Sequence, residues 1–154
     1  MHSTHLLIAR KRVSRIAIHR KVNVQALSRW LAVVVWMGAI FAVSDIPSIA
    51  TPFEPAYDFT FKKLAHVTVY GILTALLFSA LRIHIRHKGH ALLTAALVAV
   101  VYACSDEWHQ TFVPGREGTL RDVAIDAVGA VGASICLRSK PQPDSKSNEQ
   151  STPI

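Results

Sequence analysis

The stretch SDEWHQTFVPGREGTLRD, residues 105–122, sets Asp106, Glu107, His109, Gln110, Arg116, Arg121 and Asp122 between two strongly apolar runs. A second set, Lys63, His66 and Tyr70, stands at i, i+3 and i+7, one stripe of a helix. Asp122 and Asp126 are four apart and continue through Gly129 to Ala133, a small-xxx-small step that lets another helix come close. Side chains of these types can do three kinds of chemistry. Lys63 and Arg116 can hold a phosphate, Arg through its planar fork, while the carboxylates and Gln110 take hydroxyl or ammonium groups. His66 or Glu107 can act as a general base, with Arg116 stabilising a phosphate-centred transition state. His66, Glu107, His109 and Asp122 offer nitrogen and oxygen donors to a divalent ion. No HExxH-like spacing supports that last use, and neither a metal nor any other cofactor is expected.

The elements that must position these groups are apolar helices. Of the 154 residues 51% are apolar and only 18% charged, whereas a soluble domain carries about a quarter charged. Four apolar segments stand out, at Trp30–Val43, Leu64–Leu81, Ala91–Cys104 and Val123–Leu137. Three of them are short for a membrane span, which needs about 20 residues. WLAVVVWMGAIFAV and ALLTAALVAVVYAC nevertheless have no polar face, as a soluble bundle helix requires. The third lengthens to residues 91–112 if its polar end faces the bundle interior. The expected fold is therefore all-α, an integral membrane bundle of four transmembrane helices. Basic residues set its orientation. The leader, the second connection and the tail hold 13 basic residues against two acids, while the other side holds four basic residues and eight acids. Both termini are expected in the cytoplasm, N-in and C-in.

Residues 1–29 read as a basic cytoplasmic leader, 30–137 as the membrane domain, and 138–154, ending RSKPQPDSKSNEQSTPI, as a tail of disordered composition. The leader lacks interleaved aromatics, and no Gly-rich phosphate loop is present, so nucleic acid is not an expected partner. Cys104 and Cys136 fall near opposite ends of their helices and should not pair.

Alternation of the spans brings Ser44–Asp45, Lys62–Lys63, Asp106–Gln110 and Asp122 to one side of the membrane. Charges at membrane depth are costly and seek partners, so a pocket with Lys63 and His66 on one wall and carboxylates on the others is expected, Arg116 folding back over it. Structural readings stand beside this one. Thr119-Leu-Arg-Asp122 has capping-box spacing, so Asp122 could cap the fourth helix. Trp30 and Trp36 read as interfacial or lipid-facing aromatics, and Trp108 as a belt residue. The whole set could be a polar network that only holds helices together.

KLAHVTVYG followed by DEWHQTFVPGREGTLRDVAIDAVGA closely resembles the VanZ-like family of small bacterial membrane proteins. Its pattern is Lys-x-x-His-x-x-x-Tyr, then an acid-Glu-x-x-Gln-x-x-x-Pro-Gly-Arg run, then Ser/Thr-x-x-Asp and small residues. SDIPS after the first span resembles the family's short Ser-rich segment. The resemblance covers residues 31–137 and marks Lys63, His66, Tyr70, Glu107, Gln110, Arg116 and Asp122. Asp126 departs from it, since the family commonly has Asn there. The resemblance implies a multi-pass protein of the bacterial inner membrane and a link to susceptibility to the glycopeptide teicoplanin, with no agreed reaction. The expected pocket residues are therefore Lys63, His66, Tyr70, Asp106, Glu107, His109, Gln110, Arg116, Asp122 and Asp126. The expected partners are membrane lipids or a lipid-linked cell-wall precursor, bound by a non-enzymatic pocket. An enzyme acting on a lipid head group is the alternative.

Overall fold

The structure, a computed structural model, describes residues 24–47 and 55–140. The rest of the basic leader and of the tail lies outside the described residues. Within them every regular element is a helix: α1 Val24–Ser44, α2 Pro55–Leu81, α3 Lys88–Gln110 and α4 Leu120–Ser139. Each runs beyond the apolar segment that announced it, because the polar residues at the segment ends are helical too.

Three of the helices, α1, α2 over Thr60–Leu81, and α3, are long and apolar enough to cross a membrane. Their outward faces carry Leu31, Val34, Val35, Leu93, Leu97 and Val101, all exposed. Such a continuous apolar exterior suits lipid and would drive association in water. α4 is not among the three. Its 20 residues are long enough, but Arg121, Asp122, Asp126 and Arg138 interrupt the apolar run. The expected fourth span is therefore the weakest on composition, and its acids are accommodated by packing against α2.

That packing depends on small residues. α3 buries Ala91, Ala95, Ala99 and Ala103 along one face, and the same face continues into the buried Asp106, Glu107 and Gln110. The alanine stripe turns this face towards the bundle, so the carboxylates at its end must point inward too. Leu73, Leu77 and Ala80 of α2 and Val33 and Ile40 of α1 complete the core. α4 meets α2 where Gly129 lies against the backbone of Val67. A Cβ at Gly129 would come within 2.2 Å of the Val67 carbonyl oxygen. Gly71 and Ala133 flank the same contact.

At the end away from the acids, basic side chains satisfy helix carbonyls. Lys88 Nζ donates to the carbonyls of Arg138 and Lys140 at 3.0 and 2.9 Å, closing the C-terminus of α4. Arg29 donates to the Ser79 carbonyl at 2.8 Å. The indole of Trp36, expected at the lipid or interface, instead donates to the Val69 carbonyl at 3.1 Å and ties α1 to α2. An indole N–H in hydrocarbon has no acceptor, and a neighbouring helix supplies one. Cys104 and Cys136 are both free thiols.

Candidate polar site at the α1–α4 end of the bundle

Helix α2 contributes the Lys63, His66, Tyr70 stripe, and each of these side chains meets a carboxylate from a different part of the chain. Lys63 Nζ pairs with Asp122 Oδ1 at 2.5 Å. One turn deeper, His66 Nδ1 lies 3.0 Å from Asp126 Oδ1. Deeper again, the Tyr70 hydroxyl donates to Asp106 Oδ2 at 3.2 Å. Two more donors converge on that same oxygen, Ser44 Oγ at 2.9 Å and Gln110 Nε2 at 3.2 Å, so α1, α2 and α3 share one acceptor. Spacing thus becomes geometry: the stripe on α2 reads down the i, i+4 pair on α4 and then reaches α3.

Glu107 is positioned by the loop that follows α3. A Cβ at Gly118 would sit 1.9 Å from the Glu107 carbonyl oxygen, so only glycine lets residues 111–119 fold so closely onto α3. Gly115, with φ of 74°, makes the turn that starts the return. Thr119 then donates its backbone N–H to Glu107 Oε2 at 3.0 Å. Thr119 is also the N-cap of α4, its hydroxyl accepting from the Asp122 N–H at 3.2 Å. The capping box therefore has a different second half from the expected one. Asp122 turns to Lys63, and the carboxylate that returns to the N-cap backbone comes from Glu107 on another helix.

One residue of the expected pocket points elsewhere, and another is shared between the pocket and α1. His109 packs against Phe41 in a tilted pair, 4.5 Å between ring centroids, and its Nε2 lies 3.2 Å from Asp45 Oδ1, so it belongs to the α1–α3 edge. Arg116 folds back over α1, donating from Nε to the Ile46 carbonyl at 2.9 Å and from Nη2 to that of Val43 at 3.0 Å. It caps the C-terminus of α1 while its side chain also lines the space above His66. Ser44 and Thr119 join the network as hydrogen-bond partners of Asp106 and Glu107, roles that the capping-box spacing and the polar end of the first span did not specify.

Two cavities open around this network. A polar cleft of about 410 Å³ lies between the C-terminus of α1, the start of α2 and the 111–119 loop, lined by Lys62, Lys63, His66, Arg116, Glu117 and Asp122 among others. An apolar crevice of about 190 Å³ runs between α1 and α2, walled by Trp36, Ile40 and Val69, with Tyr70 and Asp106 on its lining. Val43, Ala65, His66 and Arg116 line both.

Chemically the site is not saturated. Asp106, Glu107 and Asp126 are 4%, 4% and 1% exposed, and each keeps one buried carboxylate oxygen with no hydrogen-bond partner among the described residues. Of the four residues considered as metal donors, Asp122 and His109 are turned to Lys63 and Asp45. His66 and Glu107 instead gather with Asp126, one donor atom from each lying within 4.8 Å of the others.

The model of the VanZ/LLP1 family matches residues 10–140. No curated protein and no solved structure matches the chain.

Proposed function

Because this chain belongs to the VanZ/LLP1 family, we propose that it binds an anionic membrane amphiphile, an anionic lipid or a lipid-linked cell-wall precursor, at the polar end of its bundle. The observation that carries the reading is the adjacency of the two cavities, which share Val43, Ala65, His66 and Arg116 in their walls. A head group in the cleft meets Lys62, Lys63 and Arg116, three cations against the carboxylates of Glu117 and Asp122. An acyl or prenyl chain leaving that head group has the apolar α1–α2 crevice beside it. Arg116 suits phosphate because its planar fork offers several donors, and two of its nitrogens are already fixed by α1 carbonyls. The excess of basic residues at the opposite end supports a cleft that faces outward from the cytoplasm of a bacterial inner membrane. A precursor bound there would connect the site with teicoplanin susceptibility.

Native mass spectrometry of the full chain, released from micelles containing phosphatidylglycerol, a polyprenyl phosphate or phosphatidylcholine, tests this. Retention of either anion at least about tenfold above phosphatidylcholine is expected, reduced by Arg116→Gln; this factor is roughly 1.4 kcal/mol. The preferred anion separates lipid from precursor. Equal retention of all three would remove the proposal.

A second reading, a membrane-embedded enzyme acting on a head group by acid/base catalysis, draws on the unpartnered oxygen of Glu107 close to His66. Turnover of labelled lipid by the wild type and not by Glu107→Gln would select it. No turnover by either would leave binding alone.

A further inference from the structure

We propose that His66, Glu107 and Asp126 form a binding site for one divalent transition-metal ion, of the zinc, manganese or iron(II) class, buried between α2, α3 and α4 beside the polar cleft. The three residues come from α2, α3 and α4, and one donor atom of each lies within 4.8 Å of the other two. Each carboxylate has one oxygen already engaged, Glu107 Oε2 by the Thr119 N–H at 3.0 Å and Asp126 Oδ1 by His66 Nδ1 at 3.0 Å. The second oxygen of each, Glu107 Oε1 and Asp126 Oδ2, is buried and has no hydrogen-bond partner among the described residues. Glu107 is 4% exposed and Asp126 1% exposed, so bulk water does not serve them.

Charge and geometry both favour a dication here. Two carboxylates at membrane depth are expensive to hold, and a doubly charged ion with a neutral imidazole brings the trio to zero net charge. Lys63, on the same stripe, is paired with Asp122 at 2.5 Å. One imidazole with two carboxylates is a hard-to-borderline donor set of the kind that such ions take. Ligand bonds of about 2.0–2.2 Å place tetrahedral donors roughly 3.4 Å apart, so the trio closes by about an ångström through side-chain rotation. From outside the trio, the Thr119 N–H holds Glu107 Oε2 and orients that carboxylate. Three protein ligands leave a coordination position open, and His66, the ligand that also lines the cleft, is the side from which a small ion or water would reach it. The site does not depend on whether the cleft holds a lipid.

The full chain in detergent micelles, stripped with chelator and titrated with Co²⁺ and with Zn²⁺, tests the proposal. One ion per chain is expected, with visible Co²⁺ bands indicating nitrogen and oxygen ligands in a low-coordinate site, bleached by Zn²⁺. Glu107→Gln and Asp126→Asn should each weaken binding at least tenfold, with helicity by circular dichroism unchanged. Asp45→Asn, which alters only the His109 contact, should bind as the wild type does. Absence of stoichiometric binding to the wild type overturns the proposal, as does binding undiminished in both carboxylate variants. Should a variant lose its helicity, the wild-type stoichiometry and cobalt spectrum decide by themselves.

Discussion

Asp106 Oδ2 accepts from Ser44, Tyr70 and Gln110 at once, and Lys63 meets Asp122 at 2.5 Å, so at the scale of single residues the acids act as joints between helices. The Lys63–Asp122 pair is largely enclosed, with side-chain exposures of 20% and 14%. Removing one partner of an enclosed pair strands the other, which costs more than deleting both. We therefore predict that Lys63→Met or Asp122→Leu alone lowers stability by about 1–3 kcal/mol and that the double variant recovers part of the loss. Thermal unfolding of the four proteins in one detergent measures the coupling, and additive losses would contradict it. Glu117→Gln, on an exposed side chain, serves as the silent control. Much of this network was legible beforehand. The i, i+3, i+7 stripe on α2 and the i, i+4 acids on α4 follow from helical period alone. Their pairing did not, because which carboxylate meets which base depends on the relative height of two helices, and spacing within one helix carries no such information. Asp122 illustrates this: its capping-box spacing is real, yet Lys63 claims its side chain and Glu107 supplies the missing half.

At the scale of elements, α4 comes close against the backbone of α2 at Gly129 and Val67. The backbone carbonyl of Val67 cannot rotate away as a side chain would, so added volume must push the helices apart. Overpacking a tight core costs about 1–3 kcal/mol. Gly129→Val is expected to cost at least that much and to separate Lys63 and His66 from Asp122 and Asp126. Gly132→Ala, with open space around its Cβ position, should be neutral. Melting temperatures of the two variants in a common detergent distinguish them, and a neutral Gly129→Val would mean that the helices do not approach so closely. The four helices themselves were visible as apolar runs, and the small-xxx-small step pointed to close packing. Their lengths were less visible: an apolar run ends at its first charge, while the helix continues wherever that charge finds an inward partner. α3 shows it best, running on through Asp106 and Glu107 to Gln110.

For the whole molecule, one end gathers the acids and the other holds Arg138 in the last turn of α4 with the basic caps Arg29 and Lys88. Since basic residues are retained on the cytoplasmic side, reporter fusions after residue 140 should read as cytoplasmic and an insertion at residue 53 as external. A cytoplasmic residue 53 would reverse the orientation and turn the proposed site inward. The alternation of apolar runs made this layout readable from the chain alone. The α1–α2 crevice could not be read in the same way, because its shape depends on how Trp36 and Arg116 fasten α1 to its neighbours.

The shared acceptor at Asp106 also has a meaning for biogenesis. A chain delivered to the bilayer from its N-terminus brings Ser44 and Tyr70 first and their acceptor only with the third helix. α3 carries Asp106 and Glu107 near its end, so the part that is hardest to place in lipid is also the last of α3 to arrive. It then meets donors already standing in the first two helices, and the Thr119 N–H follows as α4 begins. The order of the chain thus gives each buried carboxylate a partner that precedes it or follows directly behind.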